Sequence, residues 1–162
     1  MSSPIKTGDA IPSATIMTNG PDGPAEITMD AVFKGRKVVL FATPGAFTPT
    51  CSAKHLPGFV QHAAELKAKG VDTIVCLAVN DVFVLTAWAQ QQGISDEVTM
   101  LADGSAQFTK SLGVELDLTA RGLGVRSQRF ALIAIDGIVD YVAIEQASEF
   151  DVSRAEPILA HL

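Results

Sequence analysis

Cysteine is nearly absent from this chain: Cys51 and Cys76 are the only two in 162 residues. Two are too few for a disulfide scaffold, which leaves a reactive or a buried thiol as the reading for each. Histidine is scarce as well. His55, His62 and His161 form no metal-ligand spacing with each other or with the distant cysteines, so neither a metal nor another cofactor is expected. Positive charge is in deficit, with 12 Lys and Arg against 18 Asp and Glu. The net charge of −6 argues against nucleic acid or an anionic membrane as the main partner. No hydrophobic run approaches a membrane span, and Met1 to Lys6 leads into no apolar segment of a secretory signal. A cytoplasmic, reducing setting is therefore expected. Internal repeats and low-complexity tracts are missing too.

What is present is a chain that is 48% hydrophobic and long enough to bury one sizeable core, so a single domain over residues 1–162 is expected. From Ile11 to Thr28 short strands flank the turn formers Asn19 to Pro24, and Met29 to Phe33 reads as a brief helix. Val38 to Ala42 is an unbroken apolar run, as in a strand buried on both faces. Leu56, Phe59, Val60, Ala63 and Leu66 then recur at helical spacing, and Pro57 should kink that helix before it stops at Gly70.

Strands follow at Thr73 to Val79 and Val98 to Ala102, with helices from Asn80-Asp81 to Gln92 and from Ser105 to Leu112. Residues 117–128 read as irregular. Asp136-Gly137 joins the apolar runs Phe130 to Ile135 and Ile138 to Ile144 as a hairpin, and a last helix starts near Asp151 or Ser153. Strands alternating with helices and closing on an antiparallel hairpin predict a three-layer α/β fold with a mixed central sheet.

The chemistry concentrates in Pro44-Gly-Ala-Phe-Thr48-Pro-Thr-Cys51, where the first buried strand hands over to the long helix. A sulfur at a helix N-terminus faces unpaired N–H groups and the positive end of the helix dipole, which favours thiolate, the nucleophilic form. Thr48 occupies the place where a C-x-x-C motif would carry its other cysteine, so a local dithiol is excluded. Its hydroxyl suits donation to the thiolate, or to an oxygen held beside it. Pro44 and Pro49 stiffen the turn, and Gly45 permits a tight path between them.

The pattern P-x-x-x-T-x-x-C, as Pro44, Thr48 and Cys51, resembles the active-site signature of the peroxiredoxins. The longer run through Ser52 and Lys54-His-Leu-Pro-Gly-Phe59 resembles their type II, or peroxiredoxin five, subgroup, and the similarity extends from about residue 4 to the C-terminus. The resemblance implies a thioredoxin-like α/β/α sandwich and a thiol-dependent peroxidase acting on hydrogen peroxide and alkyl hydroperoxides through a Cys51 sulfenic acid. It implies regeneration by glutathione with glutaredoxin or by thioredoxin, a role in antioxidant defence, and a homodimer. The dimer contact would involve residues 44–48 and the helix holding Phe83 and Trp88.

A buried thiolate needs a positive partner. Arg129, in Gln128-Arg129-Phe130, matches the family's active-site arginine, with Arg121 and Arg126 as neighbours able to take its place. His55, one helical turn beyond Cys51, either supports the site or packs in the core. Cys76 is either a resolving partner, as the resemblance allows, or an inert core thiol among Ile74, Val75, Leu77 and Ala78. Trp88 fits the core or a dimer contact better than a substrate platform. Phe47 and Leu123 would frame the peroxide with apolar surface. Two other functions compete: a hydrolase pairing Cys51 with His55 or His62, and a redox sensor or holdase in which Cys51 oxidation switches a surface.

Overall fold

The structure, a computed structural model, describes residues 3–146 and 149–162. The chain runs β1 Thr15–Gly20, β2 Gly23–Thr28, α1 Met29–Phe33, β3 Lys37–Thr43, α2 Leu56–Gln61, α3 Ala63–Ala68 and β4 Thr73–Ala78. It continues α4 Val82–Gln91, β5 Thr99–Ala102, α5 Gln107–Ser111, β6 Glu115–Leu118, β7 Gly124–Ser127, β8 Phe130–Ile135, β9 Ile138–Ile144 and α6 Ala155–Ala160. Seven strands form one sheet in the order β2-β1-β5-β4-β3-β8-β9. β3 pairs with β4, and β4 with β5, in parallel, whereas β8 runs antiparallel to both β3 and β9. This is the mixed sheet that the sequence predicts.

Helices cover both faces. α2, α3, α4 and α6 send Leu56, Phe59, Leu66, Leu85, Trp88 and Ile158 onto one face, against Val39, Phe41, Ile74 and Ile133. On the other, Met29, Val32 and Phe33 of α1 and Phe108 of α5 meet Val38, Leu40, Leu77 and Leu132. The apolar run of β3 is explained by this sandwich, since Val38 to Ala42 alternate between the two cores and all are fully buried. Each large side chain there contributes on the order of 1.5–3 kcal/mol of burial, so the strand that ends at the cysteine turn is among the most firmly seated.

Residues 117–128 depart from expectation. They contain the end of β6 and all of β7, an antiparallel hairpin that forms its own two-stranded sheet, around the 3-10 turn Thr119–Arg121. Both strands are only partly buried. β6 alternates as Glu115-Leu116-Asp117-Leu118, but over only four residues, and β7 shows no such period, so neither stands out from a loop in the sequence. The last helix begins at Ala155, a little later than its cap candidates suggest.

Candidate active site

The turn after β3 is held from several directions. Phe47 sits in the left-handed region at φ 64°, which costs a non-glycine residue on the order of 1–3 kcal/mol. Its neighbours fix it: the Ala46 N–H donates to Asn80 Oδ1 at 2.9 Å, and Thr48 Oγ1 donates to the Gly45 carbonyl at 2.7 Å. Arg126 donates from Nη1 to the Pro44 carbonyl at 3.2 Å and from Nε to the Leu123 carbonyl at 2.8 Å, clipping the β6–β7 hairpin to the turn. A Cβ on Gly45 would lie 2.5 Å from that same Arg126 nitrogen, so the arginine would have to move away.

The helix then opens in a π turn over Cys51–His55, with the Leu56 N–H reaching back five residues to the Cys51 carbonyl. Pro57 follows immediately. In a regular α-helix its ring would crowd the Ala53 carbonyl, and the widened turn absorbs the conflict that the sequence reads as a kink.

Cys51 opens that π turn and its side chain is fully buried. Its sulfur accepts a hydrogen bond from Arg129 Nη2 at 3.1 Å, and Arg129 Nη1 lies 2.8 Å from His55 Nδ1. Guanidinium only donates, so Nδ1 of His55 is the acceptor and carries no proton. The other ring nitrogen, Nε2, faces the Ser153 carbonyl at 2.9 Å and must donate. His55 is therefore held as the neutral Nε2–H tautomer. Its pKa is pushed down to about 3, first by burial and then by the adjacent Arg129 charge, against the opposing pull of the Ser153 carbonyl and Glu145. With both nitrogens engaged away from the sulfur, His55 is not placed as a general base for a hydrolase.

Behind His55, Glu145 Oε2 accepts from the Asp151 N–H at 2.6 Å, the Ser153 N–H at 2.8 Å and Ser153 Oγ at 2.7 Å. Burial works against the Glu145 charge, but these hydrogen bonds outweigh it and hold the carboxyl below its usual range. The Phe150 ring lies 5.7 Å from the Arg129 guanidinium carbon and meets the His55 ring edge-on at 5.2 Å. A cavity of about 310 Å³ opens beside the pair, lined by Pro44, Thr50, Leu116, Gln128, Arg129, Glu145, Gln146, Glu149 and Phe150. The arrangement offers a sulfur, a fixed cationic fork and a small half-polar recess.

The expected site residues are thus partly assembled. Pro44, Thr48, Cys51, His55 and Arg129 share one end of β3 and β8. Arg121 is exposed on its 3-10 turn and Arg126 grips the turn backbone, so of the three arginines Arg129 is the one bonded to the sulfur. Cys76 lies fully buried in β4, opposite Phe41 and in the same core as Cys51. Burial, and then the charge of Cys51, push its thiol well above the usual range, with Arg129 opposing. Trp88 belongs to the core, its indole N–H donating to Ser52 Oγ at 2.9 Å, which removes it from any exposed contact surface.

Asn80, Glu145, Phe150 and Ser153 escape the sequence reading. Asn80 and Ser153 left a trace there, each as a helix-start candidate rather than as a site residue. Of the Asn80-Asp81 pair, it is Asp81 that caps α4, its Oδ1 accepting from Val84, which frees Asn80 for the turn.

The Redoxin family profile matches residues 6–159. The chain is similar to peroxiredoxin-2B of Arabidopsis thaliana, at 48% identity over 98% of this chain and 99% of that protein. It is also similar to the chloroplastic peroxiredoxin-2E of the same plant, at 49% identity over 98% of this chain and 69% of that one. The chain belongs to the redoxin family, as a type II peroxiredoxin. Among solved structures, reduced Prx3 of Vibrio vulnificus in complex with hydrogen peroxide superposes with a TM-score of 0.92 at 49% identity, covering 96% of this chain and 98% of that one. The seven-stranded sandwich is accordingly a thioredoxin-like fold, and the activity of this peroxiredoxin is that of an antioxidant thiol peroxidase.

Proposed function

We propose that this peroxiredoxin reduces hydrogen peroxide and alkyl hydroperoxides at Cys51, with Pro44, Thr48 and Arg129 as its partners in the site. The observation that carries the assignment is the 3.1 Å contact to the Cys51 sulfur from Nη2 of Arg129, a residue that lines the cavity. The thiolate attacks the nearer peroxide oxygen. The S–O bond forms as the O–O bond breaks, sulfur loses two electrons, and the proton of the attacked oxygen passes to the far one, which leaves as water or an alcohol while Cys51 becomes the sulfenate, protonated from solvent to the sulfenic acid. Arg129 donates to the oxygens and stabilises the charge that develops on the leaving one, while Thr48 Oγ1, whose own proton goes to the Gly45 carbonyl, accepts from the peroxide O–H and keeps it in line. His55 supports the site by fixing Arg129. A thiol then attacks the sulfenic sulfur and releases water, and a second thiol displaces Cys51 from the mixed disulfide.

Both thiols come from glutathione with glutaredoxin, or from thioredoxin, the alternative for the first being Cys76. Cys76 is the weaker candidate because it is locked inside β4 with its thiol held protonated, and a Cys51–Cys76 bridge needs Cα atoms within about 7 Å. We further propose a homodimer in a cytoplasmic setting. Its supporting observation is the pair of apolar rings near the turn that the monomer leaves uncovered, Phe47 at 49% and Phe83 at 72% exposure.

The test is intact mass spectrometry without reductant after one equivalent of hydrogen peroxide, on the wild type, Cys51→Ser and Cys76→Ser. A trappable sulfenic acid on Cys51 that persists with Cys76 present is the expected result. Loss of two hydrogens within one wild-type chain, absent from both variants, would assign Cys76 as the resolving thiol. No oxidation at Cys51 would refute the mechanism.

A further inference from the structure

Arg129 is held at both ends by one residue. Its backbone carbonyl accepts from the Glu145 N–H at 2.9 Å, next to the Phe130–Ile144 pair where β8 meets β9. Its guanidinium is reached by another route from the same residue: the Glu145 carboxylate binds Ser153, the Ser153 carbonyl binds His55, and His55 binds Arg129. The links close a ring through β8, β9, the segment before α6 and the π turn. Its inner members are buried, with Ser153 fully buried, His55 1% exposed and Glu145, which borders the cavity, 6% exposed. A carboxylate in such a place is costly unless its lone pairs are used. Here a single oxygen takes three donors, two of them from the residue whose carbonyl sets the histidine tautomer.

We propose that Glu145 is a positioning residue of the peroxidase site, acting through Ser153 and His55 to hold the Arg129 guanidinium on the Cys51 sulfur. Without the carboxylate, two Ser153 donors lose the one oxygen they share and the Ser153 carbonyl drifts from Nε2. The His55 ring is then free to take the other tautomer, whose Nδ1–H would face a guanidinium that has no acceptor. Arg129 has to swing off His55, and the fork leaves the sulfur. The inference rests on the assignment of Cys51 and Arg129 made above.

The experiment is a double-mutant cycle read as kcat/KM for hydrogen peroxide with saturating thiol reductant. Glu145→Ala is expected to lower it about tenfold, the scale of a small misplacement of a reacting group. Glu145→Gln, which offers an uncharged oxygen to the same donors, recovers most of the loss. In an Arg129→Ala background, Glu145→Ala costs less than about twofold more, because the group it positions is gone. The ring 15N shifts of His55 supply a readout that bulk stability would not move: Nε2–H in the wild type, mixed tautomers in Glu145→Ala. If Glu145→Ala lacks native near-UV circular dichroism, Ser153→Ala replaces it, deleting one donor and keeping the backbone.

An undiminished Glu145→Ala effect in the Arg129→Ala background, or an unchanged His55 tautomer, overturns the proposal. If Arg129→Ala or Cys51→Ser by itself leaves kcat/KM intact, it is the underlying site assignment that fails.

Discussion

Two hydrogen bonds from one guanidinium decide what Cys51 can do. Arg129 spends Nη2 on the sulfur and Nη1 on His55, and only a planar fork reaches both from one stem. Arg129→Ala should lower kcat/KM for peroxide by about a hundredfold or more. Arg129→Lys should recover only part of that, because an ammonium is a point charge without the fork; steady-state kinetics on both variants check it. His55 gives a prediction in pH. It is neutral in the fold with a pKa of about 3, whereas an unfolded histidine titrates near 6.5, so between these values the unfolded chain holds the extra proton. Stability attributable to His55 is therefore full above pH 6.5 and falls as the pH drops, by up to about 1.4 kcal/mol per unit. Urea midpoints at pH 7 and pH 5 should converge when His55→Gln is compared with wild type. An equal drop in both would dismiss the linkage.

At the scale of elements, the site is a junction where β3, the π turn, β8 and two loops arrive separately. The β6–β7 hairpin reaches the cysteine turn through Arg126. Arg126→Ala should cost about 1–3 kcal/mol of stability for the two lost bonds, yet lower peroxidase kcat/KM more than a surface change of that size would, since the turn carries Thr48 and Cys51. Denaturation and kinetics on the same preparation separate the two effects. The π turn also has a built-in reporter, because Trp88 donates to Ser52, the residue after Cys51. A cycle that stops at the sulfenic acid leaves this contact in place and the tryptophan emission nearly unchanged. A bridge to Cys76 would unwind the turn and shift it, which stopped-flow fluorescence with Cys76→Ser as control resolves.

For the whole molecule, the sandwich buries Cys51 and Cys76 in the same core, but only the Cys51 sulfur is bonded to Arg129, at the end of the sheet where the cavity opens, whereas Cys76 sits within β4. Alkylation by iodoacetamide at pH 8 should label Cys51 in the folded protein and reach Cys76 only in denaturant, read by peptide mapping; rapid labelling of native Cys76 would contradict its burial. Assembly is tested at the same scale. Phe83→Asp should leave the fold intact while shifting the light-scattering mass from two chains to one, and a wild type already at one chain would end the dimer proposal.

The elements that the sequence determined are those whose physics is local. A strand buried on both faces must be apolar throughout, so β3 and β4 were legible, and Asp136-Gly137 announced the hairpin of β8 and β9 because few other pairs accept that turn. The short run from Pro44 to Cys51 carried its chemistry in consecutive residues. β6 and β7 are four residues each and partly exposed, so the short alternation of the one and the missing period of the other do not distinguish them from a loop. What only the tertiary structure decided is everything that joins distant positions: which of three arginines meets the sulfur, which way His55 is protonated, and that Glu145 and Ser153 stand behind it. Those choices depend on distances between segments up to 98 residues apart. No local spacing encodes such a distance, and packing of the sheet against its helices sets it.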